Sequence, residues 1–210
     1  MSQLPQLEKI KRWLSPGRPV RVRVMDAEPS EGVRAGSLRL RATTPDDAAL
    51  LTGLIERNES HLFRWLPRPA PDVSSARVAD HWIQLALEGE SNGSAWRRLA
   101  VLPGGTVVGG VNLIHIERGL DWQADTNWWV SAEHTGRGYG NQIVQGMLRH
   151  AFGDMPNGLG LHKVHAGIQP DNAASERLAI KAGFTPEPKL DSRLYVNGEW
   201  QHHRGFVARS

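Results

Sequence analysis

The sequence predicts an α/β sandwich: a mixed, mostly antiparallel sheet with helices on both faces. Three observations lead there. Helical periodicity comes early, between Thr44 and Leu87. Alternating strands separated by short turn signals follow in the middle of the chain. The last third then runs strand, helix, strand, helix and hairpin, an order that needs both antiparallel neighbours and a helix-linked crossover.

The elements can be taken in order. Residues 1–36 read as an appendage: Leu7, Ile10 and Leu14 share one face of a short helix, stopped by Ser15-Pro16-Gly17. Val20–Val24 alternates like a strand, and "DAEPSEG" is a loop. Residues 37–210 form the main domain, opening on the alternating strand Ser37–Ala42. Thr44 is the N-cap of the next helix, with Pro45 in its first turn and Asp47 at its positive end. Leu50, Leu51, Leu54 and Ile55 give it an apolar side. "HLFRWLP" predicts a short second helix, and Val78–Leu87 a third. "AWRRLAVL" and "TVVGGVNLIHI" are strands around a turn at Pro103-Gly104-Gly105, and "TNWWVS" is another strand. Tyr139–Phe152 is an amphipathic helix, "LHKVHAGI" a strand, and Asp171–Ala182 a helix ended by Gly183. Asn197-Gly198 joins two last strands as a tight hairpin.

Composition sets outer limits. A chain of 210 residues, 40% apolar and with eight tryptophans, fills a real core. There is no cysteine, which excludes disulfides, a cysteine nucleophile and thiolate metal sites, and fits a reducing, cytoplasmic compartment. No run reaches the length of a membrane span, and the N-terminus lacks the pattern of a signal peptide. The net charge of +3 is scattered, which argues against a nucleic-acid partner. No histidine spacing resembles H-E-x-x-H, so no metal site is expected.

The stretch "EHTGRGYGNQ" carries the chemistry. Gly136, Gly138 and Gly140 alternate ahead of a helix, with Arg137 between them. A Walker-type loop needs Lys-Ser/Thr after the last glycine, and here Asn141 follows. A dinucleotide fingerprint needs a third glycine where Asn141 stands. A pyrophosphate lying on the amides of Gly138, Tyr139, Gly140 and Asn141 fits better, since glycines admit close approach and the helix dipole lies behind. Arg137 adds a charge that reaches a phosphate. The competing reading is a tight turn that binds nothing.

"GRGYGNQIV", "LHKVHAGIQPDNAASERLAIKAGF" and "LYVNGEWQHHRGF" resemble segments of the GNAT superfamily of N-acetyltransferases, and are most similar to its RimJ/RimL-type branch. "NESHLFRWLP" resembles that branch too. The resemblance runs from about Ser37 to the C-terminus. It implies a GNAT-type three-layer sandwich and acetyl-CoA as co-substrate. Gly136, Arg137, Gly138, Tyr139, Gly140 and Asn141 would cradle the pyrophosphate. The strand Trp128, Trp129, Val130, Ser131 would pair its backbone with the pantetheine arm. Asn172 would hold that arm from the other side, and Ser175 would sit by the sulfur as acid. There are three departures. Thr135 stands where the family usually has Arg or Gln. Ala179 stands where many members carry a tyrosine acid. "Gly-x-Trp-Arg-Asp-His" reads Gly198-Glu199-Trp200-Gln201-His202-His203.

Amine attack on a thioester needs a neutral amine, a polarised carbonyl and a proton for the departing thiolate. Asp125 is the candidate base, with a surface or turn carboxylate as the alternative. Glu133 and His115 are weaker candidates. Ser175 is alternatively a first-turn serine behind a cap at Asp171 or Asn172. Trp65, Trp82, Trp128 and Trp129 read as core or pocket wall. The expected acceptor is a peptide N-terminal α-amine. A small amine such as an antibiotic, or a non-catalytic acyl-CoA-binding module, is the alternative. A monomer or homodimer is expected.

Overall fold

The computed structural model describes residues 32–210. The helix and strand expected within Leu7–Val24 lie outside the described residues. Among the described residues, nine strands form one mixed system: β1 (Val33–Ala35), β2 (Leu38–Ala42), β3 (Trp96–Val101), β4 (Val107–Glu117), β5 (Gln123–Val130), β6 (Lys163–Ile168), β7 (Thr185–Pro186), β8 (Ser192–Val196) and β9 (Glu199–Arg209). Their order is β1-β2-β3-β4-β5-β6-β9-β7, with β8 paired to β9. Every pairing is antiparallel except β5–β6.

Among the described residues, four α-helices complete the layers: α1 (Ala48–Leu62), α2 (Ser75–Asn92), α3 (Tyr139–Phe152) and α4 (Ala173–Ala182). One core unites α3 with the sheet, through Ile143, Val144 and Met147 against Val108, Val111 and Val164. The other unites α1 and α2 with the opposite face, through Leu51, Ile55 and Ile83 against Leu99 and Val101. Full burial of each such side chain contributes roughly 1.5–3 kcal/mol, so both faces are firmly covered.

The structure differs from the expected elements in three places. β1 falls within the stretch set apart as an appendage, yet it pairs with β2 and Ala35 is fully buried in the core. "HLFRWLP" is not a separate helix: His61 and Leu62 are the last residues of α1, and the chain then turns, with Phe63 N–H bonded to Glu59 O. No glycine or proline lies between Leu54 and Leu66, so the helix continues past Ile55 until its apolar side is used up. α2 is longer than Val78–Leu87 and ends at Gly93, whose φ of 72° closes the helix in the left-handed region. The Asn197-Gly198 hairpin is as expected, with φ of 54° and 86° and Val196 facing Glu199.

Candidate active site

β5 and β6 pair in parallel over only three positions, Gln123↔Lys163, Ala124↔Val164 and Asp125↔His165. Beyond these the strands part, although β5 continues to Val130 and β6 to Ile168. The result is a slot closed at Asp125 and His165 and open toward the C-terminal ends of both strands. That is where ligands enter open α/β sheets.

One wall of the slot carries unpaired backbone. Ser131 N–H donates to Val108 O at 2.9 Å, which makes Gly109↔Val130 a pair whose own polar groups point away from each other. By alternation, the N–H groups of Trp128 and Val130 face the slot, and those of Trp129 and Ser131 face β4. Within the expected strand Trp128–Ser131, the N–H groups open to the slot are therefore those of Trp128 and Val130. Ser131 is fully buried and holds His134 Nδ1 through its hydroxyl (2.7 Å). The Trp129 indole packs near Trp82 on the other face of the sheet.

The open end of the slot meets the start of α3. Gly136 (φ 74°) and Gly138 (φ 78°) both take left-handed backbone, which reverses the chain into the helix. The first backbone bond of α3 runs from Gln142 N–H to Gly138 O. Among the described residues, the N–H groups of Gly138, Tyr139, Gly140 and Asn141 have no acceptor, as a helix start requires. Arg137 is exposed beside them, and Thr135 is engaged with Ala132 O (2.8 Å). Asn141 Oδ1 is buried without a partner. A Cβ at Gly140 would lie 2.9 Å from Leu178 and 3.7 Å from Val130, so α3, α4 and β5 converge at this glycine. Its lack of a side chain serves helix packing as well as the loop.

α4 supplies the opposite wall. Asn172 caps it, its Oδ1 accepting from Ser175 N–H at 3.1 Å, and this leaves Asn172 Nδ2 free to donate outward. The Ser175 hydroxyl has no partner among the described residues. The helix ends in paired bonds from Phe184 N–H to Ala179 O and from Gly183 N–H to Ile180 O. Phe184 then packs 6.0 Å from Trp128.

At the closed end, Asp125 sits between two histidines. His115 Nδ1 lies 2.8 Å from Oδ2, and His165 Nδ1 lies 3.9 Å from Oδ1. A bulge in β4, where His115 takes a φ of 49°, turns that ring onto the face of Asp125. Burial pulls the His165 imidazole below its usual range. Asp125 opposes the shift, and Lys163 and Arg209 reinforce it. His165 is therefore neutral at neutral pH and able to accept a proton.

Sequence reasoning missed His165, and it missed Asn58 and His61 of α1. Asn58 is buried; its Oδ1 accepts from Ala132 N–H at 2.7 Å. His61 Nε2–H donates to Val130 O at 3.0 Å. The pair lies three apart on one helix face, within the "NESHLFRWLP" segment, and pins the end of β5. The remaining candidate carboxylate, Glu133, is exposed beside His134.

A cavity of about 470 Å³ lies on the other side of β5, between α1, α2 and the sheet. Arg97, Asn112, Asn127 and Trp129 form its floor and Arg68, Arg77 and His81 lie around it. It approaches β5 on the face that carries Asp125, since Asp125, Asn127 and Trp129 alternate along that strand.

A family model described as acetyltransferase (GNAT) domain matches residues 37–185. "Probable N-acetyltransferase YjcK" of Bacillus subtilis (strain 168) is 32% identical over 98 residues, covering 47% of this chain and 52% of that protein. The chain thus matches about half the length of this relative. YdaF of the same organism, named provisionally as a ribosomal N-acetyltransferase, is 27% identical over 172 residues, 79% of this chain and 86% of that one. Among solved structures, Mycobacterium smegmatis RimJ in complex with CoA-disulfide superposes with a TM-score of 0.71 at 22% identity, covering 86% of this chain and 85% of the other.

Proposed function

The chain belongs to the acetyltransferase (GNAT) domain family, and from that premise we propose that it moves an acetyl group from acetyl-CoA to a peptide N-terminal α-amine. The observation that carries this reading is the parting of β5 and β6 beyond Asp125 and His165, with free helix-start amides at the slot's open end. The donor set fits an acyl-CoA: backbone N–H groups and Arg137 for a pyrophosphate, and strand-like N–H groups of Trp128 and Val130 for an amide-bearing arm. The orphaned Asn141 Oδ1 offers an acceptor for an amide N–H.

The bound thioester supplies an activated acetyl group. The chain's own residues do the rest. The slot leads from the α3 amides to its closed end, so binding aligns the reacting end with Asp125 and His165. Trp128 or Val130 N–H donates to the carbonyl oxygen. The neutral imidazole of His165 takes the amine proton, and the Asp125 charge 3.9 Å away stabilises the imidazolium that forms. The Ser175 hydroxyl, from α4, passes a proton to the departing sulfur and regains one from solvent, to which His165 releases the amine proton. The amine approaches from the cavity side of β5 while the acyl donor lies in the slot, so transfer is direct within a ternary complex. A peptide α-amine titrates near ~8 and lysine near ~10.4, so at neutral pH the weak base at the slot suits an α-amine.

Thiol release tests the enzymatic reading. Free coenzyme A is expected to accumulate only when acetyl-CoA and an acceptor peptide are both present. Tight coenzyme A binding with no amine-dependent thiol release contradicts catalysis and leaves an acyl-CoA-binding module.

A further inference from the structure

The cavity on the acceptor face has an unbalanced charge. Arg97 points from β3 into its floor, and among the described residues no carboxylate or other acceptor pairs with its guanidinium. Its Nε is fully buried without a hydrogen-bond partner. Burial alone pulls its pKa below the usual guanidinium value, and no counter-charge opposes that shift. Arg68 and Arg77 add positive charge to the lining, which among the described residues contains no aspartate or glutamate. The neighbouring Arg98 is different, because Glu90 pairs with it through two hydrogen bonds of 2.9 and 2.8 Å.

A half-buried cation without an anion is costly, because desolvation is not repaid by pairing. A carboxylate arriving with the acceptor repays it through two parallel N–H···O bonds, the arrangement guanidinium groups make best. Next to Arg97, Asn112 Nδ2–H donates to Asn127 Oδ1 at 2.8 Å. Whichever way these amides are turned, the pair keeps one free donor and one free acceptor, enough for the backbone of a short peptide.

Distance sets where the anion lies on the acceptor. Arg97 faces Asn112, which faces Asn127. Two strand spacings separate Arg97 from Asn127, about 9.5 Å. Asp125 lies two residues further along β5, on the same face. The diagonal from Arg97 to Asp125 is therefore about 11.5 Å at ~3.3 Å per extended residue. The reach of the Arg97 side chain and of the acceptor's acidic side chain covers the last part of it, so the span corresponds to roughly two or three residues of acceptor backbone.

Building on the α-amine reading above, we propose that the cavity selects acceptors carrying a carboxylate two or three residues from the reacting amine, and that Arg97 is the group that binds it. Polyamines and other polycations are repelled by the same lining. The carboxylate belongs to an acidic side chain near a peptide's N-terminus; a free acidic amino acid presents the same chemistry.

The test uses the full chain with acetyl-CoA and three peptides of one sequence, carrying Glu, Gln or Lys at the third and fourth positions. The Glu peptide is expected to exceed the Gln peptide about ten- to a hundredfold in kcat/KM, the range of a charge-assisted contact. Arg97→Gln is expected to bring that ratio close to one, and Arg97→Lys, which keeps the charge but not the two parallel bonds, to keep part of it. Coenzyme A affinity reports whether each variant is folded; if Arg97→Gln is not, the Lys variant and the parent's Glu/Gln ratio decide. A ratio near one in the parent, or one unchanged by Arg97→Gln, overturns the proposal. Free glutamate acetylated faster than the Glu peptide assigns the carboxylate to a small acceptor and overturns the peptide source. If no peptide is acetylated, calorimetry on the coenzyme A-loaded protein separates the two claims. Tighter binding of the Glu peptide keeps the anion site and removes the α-amine reading; equal binding overturns the anion site.

Discussion

At the scale of single residues, the account places distinct duties on Ser175, His165 and Gly138. The Ser175 hydroxyl is free while its own N–H is held by Asn172, so Ser175→Ala removes a proton donor without disturbing the cap. The expected result is a kcat lower by about ten- to a thousandfold with little change in KM, read by steady-state kinetics. His165 is held neutral by burial, with Asp125 of β5 and Glu117 of β4 raising its affinity for protons and Lys163 and Arg209 lowering it. As pH falls through this depressed value, below 6.5, the imidazole gains a proton and can no longer accept one. The logarithm of kcat/KM is expected to rise with slope one below the amine's own value near ~8, and to steepen toward two below the His165 value. In His165→Gln the slope stays at one; a parent profile that never steepens removes His165 from the mechanism. Gly138→Val forces a β-branched residue to a φ of 78° at the head of α3. Coenzyme A affinity by calorimetry is expected to fall below detection with a cooperative unfolding transition retained; unchanged affinity means the α3 amides do not hold the pyrophosphate.

At the scale of elements, the entry to α1 depends on one buried carboxylate. Asp47 accepts two bonds from Arg41, at 2.8 and 2.6 Å, and one from Thr44 N–H at 2.8 Å. Burial by itself raises its pKa; the Arg41 and Thr44 contacts outweigh that and hold it below 3.8. Its contribution to stability is therefore complete above the unfolded value of 3.8 and is lost as pH falls through the lower folded value. Asp47→Asn is expected to cost about 2–3 kcal/mol at neutral pH by denaturant unfolding, with the difference shrinking in acid. What was legible in advance follows the same local logic. α3 was readable to the residue because a left-handed glycine, an amphipathic stripe and a C-terminal Gly153 all lie within one stretch. The turn at Asn197-Gly198 and the stop at Gly183 were readable for the same reason. The slot was not readable, because parting of two strands is a property of their register. Likewise, Arg97, Asn112 and Asn127 come together only across three paired strands, and nothing in their local sequence marks them as neighbours.

At the scale of the whole molecule, the sheet separates two approaches to one point. In the proposed reaction the acyl donor enters between β5 and β6 from the α3 end, and the acceptor enters from the cavity under α1 and α2. α1 joins the two, since Asn58 and His61 hold the end of β5 while the helix roofs the cavity. This two-sided arrangement needs no covalent enzyme intermediate, which agrees with a chain that has no cysteine. Its central claim is transfer to an α-amine, and competition tests it most directly. Two peptides of one sequence, one with a free N-terminus and blocked lysine and the other reversed, are offered together with acetyl-CoA, and mass spectrometry follows both products. The account predicts that the peptide with the free N-terminus is acetylated at least tenfold faster, a modest share of the roughly hundredfold difference in free-amine population. Equal rates, or a faster lysine, contradict it.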